Sequence, residues 1–217
     1  MPKTISQIYT HYKIMPSLQA HQLRVAAVAQ LICEASTATF NSNAVIVACL
    51  LHDMGNILKS NLTVFPQFCQ PEGLVYWEAV KKEFQAKYGD NEHDAALAIA
   101  KELKIGAAAM GCLNAIGFAK TIGHAEHPQL RNLICCYSDM RVGPHGVLPL
   151  ADRLQDLRVR YAGRHKDPAA AAATFNTRVH ALEKIESIIF AKSRIRPTDI
   201  TDKSIAAGVE KLKGFIL

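Results

Sequence analysis

The apolar residues of this chain recur at helical spacing along almost its whole length. In the segment 18–32, Leu18, Val25, Val28 and Ile32 follow the i, i+3/i+4 pattern of one helix face. Val, Ile and Thr do not cluster in alternating runs, and the chain contains no Asn-Gly or Asp-Gly pair of the kind that closes a β-hairpin. The sequence therefore predicts an all-α fold.

Caps and helix breakers divide this pattern into separate helices. The predicted helices span residues 18–35, 44–53, 74–87, 91–103, 107–120, 128–140, 149–161, 169–192 and 204–215. Gly55 and the segment 59–73, which contains Pro66 and Pro71, form the longest irregular stretch. We expect residues 1–166 to form the core domain. Residues 167–217 would be a helical extension that packs on this core or at a dimer interface.

Composition excludes several classes of protein. With 217 residues, 49% of them hydrophobic and 20% charged, the chain can bury a sizeable core and is not disordered. Its longest unbroken apolar run has eight residues, 44–51, which is too short to span a bilayer. The first residues lack the apolar region of a signal peptide. Six cysteines without a CxxC pair indicate buried free thiols. We therefore expect a cytoplasmic protein that has no membrane partner.

The chain has a formal net charge of +6, and most of the excess falls after residue 150. A dense basic stretch covers residues 158–166. It is interpreted either as a solvated helix end, or as a surface that attracts an anionic substrate or a nucleic acid. No nucleic-acid-binding motif accompanies the charge, so we do not expect a nucleic acid partner.

Four polar residues occupy positions where the pattern calls for apolar ones. His21 shares the buried stripe of its helix, and His52 lies on the apolar face of the next helix with Asp53 directly after it. Asp139 follows Cys135 by one turn near the end of a later helix. Each residue alone has an ordinary structural explanation, such as a core histidine bonded to a carbonyl. Together, two imidazoles and two buried carboxylates can offset their burial by sharing a divalent cation.

The same residues carry a family resemblance. The segments LQAHQLRVAAVAQLI, VACLLHDMGNILK, YSDMRV and GVLPLADRLQDLRVRY follow one another in the chain. This order resembles the HD-domain superfamily of metal-dependent phosphohydrolases, whose signature is H…HD…D on a helical bundle. The resemblance covers about residues 15–161, with Asn56 where many members carry Lys. It implies an HD-domain-like helical bundle, here with additional C-terminal helices.

The resemblance also implies a ligand set and a chemistry. His21, His52, Asp53 and Asp139 would hold one divalent transition metal, and imidazole with carboxylate suits Mn, Fe, Co, Ni or Zn. Such a metal polarises a phosphoryl oxygen and lowers the pKa of a bound water. Asp53 would thus serve catalysis as well as metal binding. Glu92 is a candidate for the base that positions the water.

Three basic residues are candidates for binding the substrate phosphate. Lys59 and Arg141 lie within two turns of a ligand motif, and Arg24 follows His21 by one turn. Cations at such positions would neutralise charge that develops on phosphoryl oxygens. The alternative is that all three are ordinary surface charges.

Further histidines in the sequence leave open whether the site holds a second metal ion. Some HD relatives carry additional histidines between the HD pair and the last Asp, and bind two metals. His93, His124 and His127 lie in that interval. For His93 the alternatives are a hydrogen bond at a helix start or a contact with the substrate without a metal. For the other two the alternative is a solvated loop.

The predicted function is hydrolysis of a phosphate ester or anhydride in a nucleotide or another small phosphorylated metabolite. One alternative is a catalytically silent HD domain that senses or binds a nucleotide. Another is a di-iron oxygenase of the HD fold, which would need His93 and His124 as ligands. The stripe formed by Phe175, Val179 and Leu182 suits a homodimer interface and packing on the chain's own bundle equally well.

Overall fold

Helices supply the regular secondary structure of the computed structural model, which describes residues 3–161 and 168–217. Within those ranges there are eleven α-helices, and β-pairing is limited to three isolated bridges. The predicted all-α class is confirmed. The helices are α1 (Ile5–His11), α2 (Pro16–Ala35), α3 (Ser42–Leu51), α4 (Leu74–Tyr88), α5 (Glu92–Glu102), α6 (Ala107–Ala115), α7 (Thr121–Glu126), α8 (Leu130–Met140), α9 (Leu150–Tyr161), α10 (Pro168–Phe190) and α11 (Asp202–Lys213).

The most apolar helix lies at the centre of the bundle. α3 packs against α2, α6 and α8, and α2 also packs against α8. A helix that is apolar on all sides is stable only when neighbours surround it, which explains the central position of this segment. Since α2, α3 and α8 contact one another pairwise, side chains from all three can meet at the end of α3.

Helix α1, which the periodicity did not indicate, supports that end. Thr4 and Gln7 form a capping box at its start. The fully buried Tyr9 donates a hydrogen bond of 2.7 Å to the Leu50 carbonyl. This carbonyl belongs to the last turn of α3, where it has no partner within the helix. The short helix α1 therefore supplies the hydrogen-bond donor for a free carbonyl at the C-terminus of α3.

The single helix predicted over residues 107–120 is wrong. α6 ends at Ala115, and Gly117 takes a φ of 140°, which a residue with a side chain rarely adopts. A 3-10 turn, Phe118–Lys120, and the short α7 follow. Pro128 does not open α8, which begins at Leu130. The glycine redirects the chain so that residues 117–120 lie against α8.

The C-terminal helices pack on the rest of the chain. α10 contacts α7 and α8, and α11 contacts α1 and α2. Leu182, Ile185 and Ile189 of the α10 stripe are buried in these contacts. The predicted domain boundary between residues 166 and 167 lies at the edge of segment 162–167, outside the described residues, as does most of the basic stretch. The division into two domains stays a prediction.

Two further expectations concern the chain as a whole. All six cysteines are buried and free. Among the described residues, no helix has the length and apolar character needed to cross a membrane.

Gly55 gives the first testable prediction. A Cβ at this position would lie 2.1 Å from the Glu92 carbonyl oxygen and 2.8 Å from the Ala95 Cβ, so the turn after α3 touches the backbone of α5. We expect Gly55→Ala to lower the free energy of unfolding by about 2 kcal/mol or more, because the backbone must move to admit the methyl group. Chemical denaturation measures this change.

Gly111 is the matched control. It lies inside α6, is exposed, and a Cβ there would meet no atom within 4 Å. Gly111→Ala should therefore stabilise the protein by about 1 kcal/mol. Equal effects of the two substitutions would contradict the close approach at Gly55.

Candidate metal centre

Four side chains from distant parts of the sequence converge at the end of α3. His21 lies on α2, His52 caps α3, Asp53 follows it, and Asp139 lies on α8. The Asp139 Oδ1 atom is 3.2 Å from His21 Nε2 and 3.3 Å from His52 Nε2. The two Asp53 oxygens are each 3.5 Å from one of these nitrogens. The structure thus brings all four predicted ligands together.

The end of α3 fixes the orientation of His52. Its Nδ1 lies 2.9 Å from the carbonyl oxygen of Cys49, one turn earlier, and donates a hydrogen bond to it. That bond leaves Nε2 directed at Asp139. A hydrogen bond from one ring nitrogen to a backbone carbonyl is the usual way in which proteins orient a metal-binding imidazole.

Gln22 holds the residue after His52, and sequence reasoning missed it. This fully buried side chain accepts a hydrogen bond of 3.2 Å from the Asp53 backbone N–H. It joins the turn after α3 to α2, next to His21. A polar residue on the buried face beside a candidate ligand was the signal that could have identified it.

The charges at this site depend on one another. Burial alone would lower the pKa of His52, but the Asp53 and Asp139 carboxylates raise it to about 9. Burial alone would raise the pKa of Asp139, yet the hydrogen bond from His21 and the nearby His52 imidazole hold this pKa well below its usual value. The carboxylates therefore favour positive charge at the position that the two imidazoles face.

One buried atom is left without a partner. His52 Nε2 has no hydrogen bond, although the His52 side chain is only 3% exposed. One donor atom each from His21, His52 and Asp53 lies within 4.8 Å of the others, and Asp139 Oδ1 approaches both imidazoles. Two imidazoles and two carboxylates form a donor set that suits a divalent transition metal, which would also give this nitrogen a partner. The residues present fit the metal that the sequence predicted.

The predicted second metal site does not form. His93 Nε2 lies 3.0 Å from Asn114 Oδ1, and His124 Nε2 lies 2.8 Å from the Ala115 carbonyl oxygen. His127 is exposed. In the described part of the chain, the first three ligands are the sole group of His, Cys, Asp or Glu with metal-binding spacing. The additional histidines contact the end of α6 or solvent, and a di-iron centre has no support.

Two predicted phosphate-binding cations already have carboxylate partners. Lys59 Nζ lies 3.6 Å from Glu92 Oε1, and Arg24 Nε lies 3.8 Å from Asp202 Oδ1. Both pairs are at least partly exposed, and such pairs contribute little to stability. Glu92, the predicted base, is thus next to a lysine at the start of α5.

The role predicted for Arg141 needs correction. Its guanidinium is buried and donates to the Leu148 carbonyl at 2.6 Å and to the Tyr137 hydroxyl at 2.7 Å. Two further bonds reach the carbonyls of Pro197 and Ile200 at 3.2 and 3.1 Å. A guanidinium enclosed by protein acceptors cannot also bind a substrate. Arg141 instead ties the end of α8 to the segment before α11.

Comparison with known proteins agrees with this centre. Residues 18–110 match the family model described as HD domain, and this match supports the predicted resemblance to the HD-domain superfamily. Most of this family are metal-dependent hydrolases, and the family binds divalent metals. No curated protein and no solved structure matches the chain. Since the matched segment ends before α8, Asp139 joins the centre on geometry alone.

Metal content gives the second prediction. We expect protein purified without chelators to carry about one divalent transition metal per chain. Asp139→Ala and His52→Ala should lose most of it, since each removes one of four donors. Elemental analysis measures the ratio. His127→Ala, at an exposed position away from the centre, should keep the metal. A ratio near two would contradict the single site.

Arg141 gives the third prediction. Arg141→Met removes the donor of four hydrogen bonds and leaves buried carbonyls unpaired, so we expect a loss of about 3 kcal/mol or more in unfolding free energy. Arg196→Met is the control, because this arginine is 81% exposed and its ion pair is with the nearby Asp199. Its effect should stay within about 0.5 kcal/mol. Thermal or urea denaturation of both variants checks the difference.

Proposed function

We propose that this protein is a metal-dependent phosphohydrolase that cleaves a phosphate ester or anhydride of a small metabolite, with nucleotides as the first class to test. One observation carries the proposal: His21, His52, Asp53 and Asp139 converge on a buried nitrogen that lacks a partner. The match of residues 18–110 to the HD domain model supports it, because most proteins of that family are metal-dependent hydrolases.

These four side chains would hold the metal. When bound, a divalent metal supplies a Lewis acid for a phosphoryl oxygen and lowers the pKa of a water. The hydrogen bond from His52 Nδ1 to the Cys49 carbonyl leaves the other imidazole nitrogen directed at the point where the metal would bind. The bond from the Asp53 N–H to Gln22 fixes the backbone that carries the carboxylate. The chain therefore positions its donors before a ligand arrives, which lowers the cost of binding.

Asp53 and Glu92 are the proposed catalytic carboxylates. Asp53 is 17% exposed and contacts both imidazoles, so it is placed to hold or accept a proton beside the metal. Glu92 lies on the first turn of α5, whose backbone touches the turn after α3 at Gly55. Its carboxylate can orient a water or take up its proton at the edge of the same site.

The remaining expectations stay with this proposal. Free cysteines and a small phosphorylated substrate are consistent with a cytoplasmic enzyme. Homodimer formation and the absence of a nucleic acid partner are predictions as well. A silent nucleotide-binding domain is the other outcome that the following experiment distinguishes.

Hydrolysis is the fourth prediction. The wild-type protein, with Mn²⁺, Co²⁺, Fe²⁺, Ni²⁺ or Zn²⁺ added in turn, should release phosphate from members of a panel of nucleoside mono-, di- and triphosphates. Asp53→Asn should reduce kcat/KM by at least about 100-fold, because it removes a negative donor from the centre. Phosphate release is measured against time for each substrate.

His127→Ala is again the matched control and should keep full activity. Circular dichroism must show that Asp53→Asn remains folded. Nucleotide binding without phosphate release by the wild type would favour the silent domain. Equal rates for the wild type and Asp53→Asn would overturn the assignment of this site.

A further inference from the structure

A lysine that the sequence did not single out lies beside the candidate metal centre. Lys120 ends the 3-10 turn after α6, and its Nζ donates a hydrogen bond to the Asn114 backbone carbonyl. The same ammonium lies 3.4 Å from His93 Nε2 on the first turn of α5. Asn114 Oδ1 lies 3.0 Å from that imidazole nitrogen. Lys120, His93 and Asn114 therefore form one polar cluster, which we call the Lys120 cluster.

The Lys120 cluster has more hydrogen-bond donors than hydrogen-bond acceptors. When His93 Nε2–H donates to Asn114 Oδ1, the Lys120 ammonium faces a second donor at 3.4 Å. No ion pair in the described ranges joins Lys120 to a carboxylate. Burial lowers the pKa of Lys120, as expected for an ammonium with too few partners. An anionic oxygen would accept a hydrogen bond from both groups.

Two contacts place the Lys120 cluster next to the metal centre. Cys136, one turn before Asp139 on α8, has its thiol 3.7 Å from the Gly117 carbonyl oxygen at the start of the turn that ends in Lys120. Burial raises the pKa of this thiol to about 12, and the charges of Asp139 and Lys120 act on it in opposite directions. The Lys120 ammonium and the Asp139 carboxylate thus both act on one buried thiol.

The second contact comes from α5. The Glu92 backbone, adjacent to His93, touches the turn that follows His52 and Asp53, since a Cβ on Gly55 would lie 2.1 Å from the Glu92 carbonyl oxygen. His93 and Lys120 are only partly exposed, and Asn114 is exposed. The cluster is therefore partly open to solvent and joins the start of α5 to the end of α6 and the turn after it.

We propose that Lys120 and His93 bind the non-bridging oxygens of the substrate's phosphate group. This inference rests on the proposed function, and the ligand class is a phosphate monoester or anhydride. A charged ammonium and an imidazole N–H are strong donors to phosphate oxygens. Lys120 would supply the neutralising charge that the sequence assigned to Arg141, which is enclosed by protein.

The other basic candidates are less suited to this task. Lys59 and Arg24 each have a carboxylate within 4 Å, so an anionic substrate would have to compete with that carboxylate. Within the described part of the chain, the Lys120 ammonium contacts a carbonyl oxygen and an imidazole, which are neutral groups. A phosphate would be the first negative charge that this ammonium meets directly.

The test measures binding of inorganic phosphate by isothermal titration calorimetry to the full chain with its metal. Lys120→Met should weaken binding by about tenfold or more, because a charge-assisted hydrogen bond is lost. Lys120→Arg should keep most of the affinity, since it keeps the charge. Lys101→Met, an exposed lysine near the other end of α5, should not change it. All variants should carry as much metal as the wild type.

A second measurement does not depend on whether Lys120→Met folds. Reductive ¹³C-methylation labels the lysines of the wild-type protein, and Lys120→Arg identifies the Lys120 signal by its loss. Addition of inorganic phosphate should shift this signal and leave that of Lys101 in place.

The outcomes separate the two proposals. Phosphate binding that depends on Lys120, without hydrolysis of any substrate, would support this subsite and overturn the proposed function. Substrate hydrolysis by the wild type together with an unchanged phosphate affinity of Lys120→Met would overturn this subsite alone. A Lys120 signal that does not shift when phosphate is added would do the same. Failure of the wild type to bind phosphate would also overturn it.

Discussion

The meeting of two imidazoles with two carboxylates at the end of α3 is the interaction on which the site depends. Each group would be costly to bury alone, and each reduces the cost of the others. Asp139 Oδ1 lies within 3.3 Å of both imidazole nitrogens, yet His52 Nε2 has no hydrogen bond. This balance needs one more positive partner, and a divalent cation is the partner that the donor set suits. The helices around the site keep these groups together.

The bundle keeps the candidate ligands together because side chains pair the free backbone carbonyls at the C-terminus of α3. The Tyr9 hydroxyl of α1 and the His52 imidazole donate hydrogen bonds of 2.7 and 2.9 Å to carbonyls in the last turn of α3. Gln22 then holds the backbone of Asp53. The same contacts that end the helix therefore orient the candidate ligands. Gly55 permits the next turn to touch α5, which brings Glu92 and His93 to the edge of the centre.

Charge around the centre is divided between structural and accessible groups. Arg141 is enclosed by Tyr137 and backbone carbonyls and stabilises the end of α8. Lys59 and Arg24 have carboxylate partners on the protein surface. Lys120 contacts neutral groups and remains partly open to solvent. Distance along the chain from a ligand motif therefore did not indicate which cations are enclosed or already paired with a carboxylate, because the direction of each side chain depends on the helix packing.

Local sequence determined the helical class, most helix boundaries and the identity of the four converging ligands. The apolar periodicity that forms a helix also reveals a His or Asp on the wrong face, so His21, His52 and Asp139 could be recognised without coordinates. The break after α6 was missed because residues 107–120 are mostly apolar, with Asn114 and Lys120 as the polar exceptions, and the φ of Gly117 shows that the helix stops. Tertiary structure decided the rest: that Arg141 is internal, that His93 and His124 bond to the end of α6, and that Lys120 lies beside His93. These facts depend on contacts between residues far apart in sequence, which the pattern within one helix does not specify.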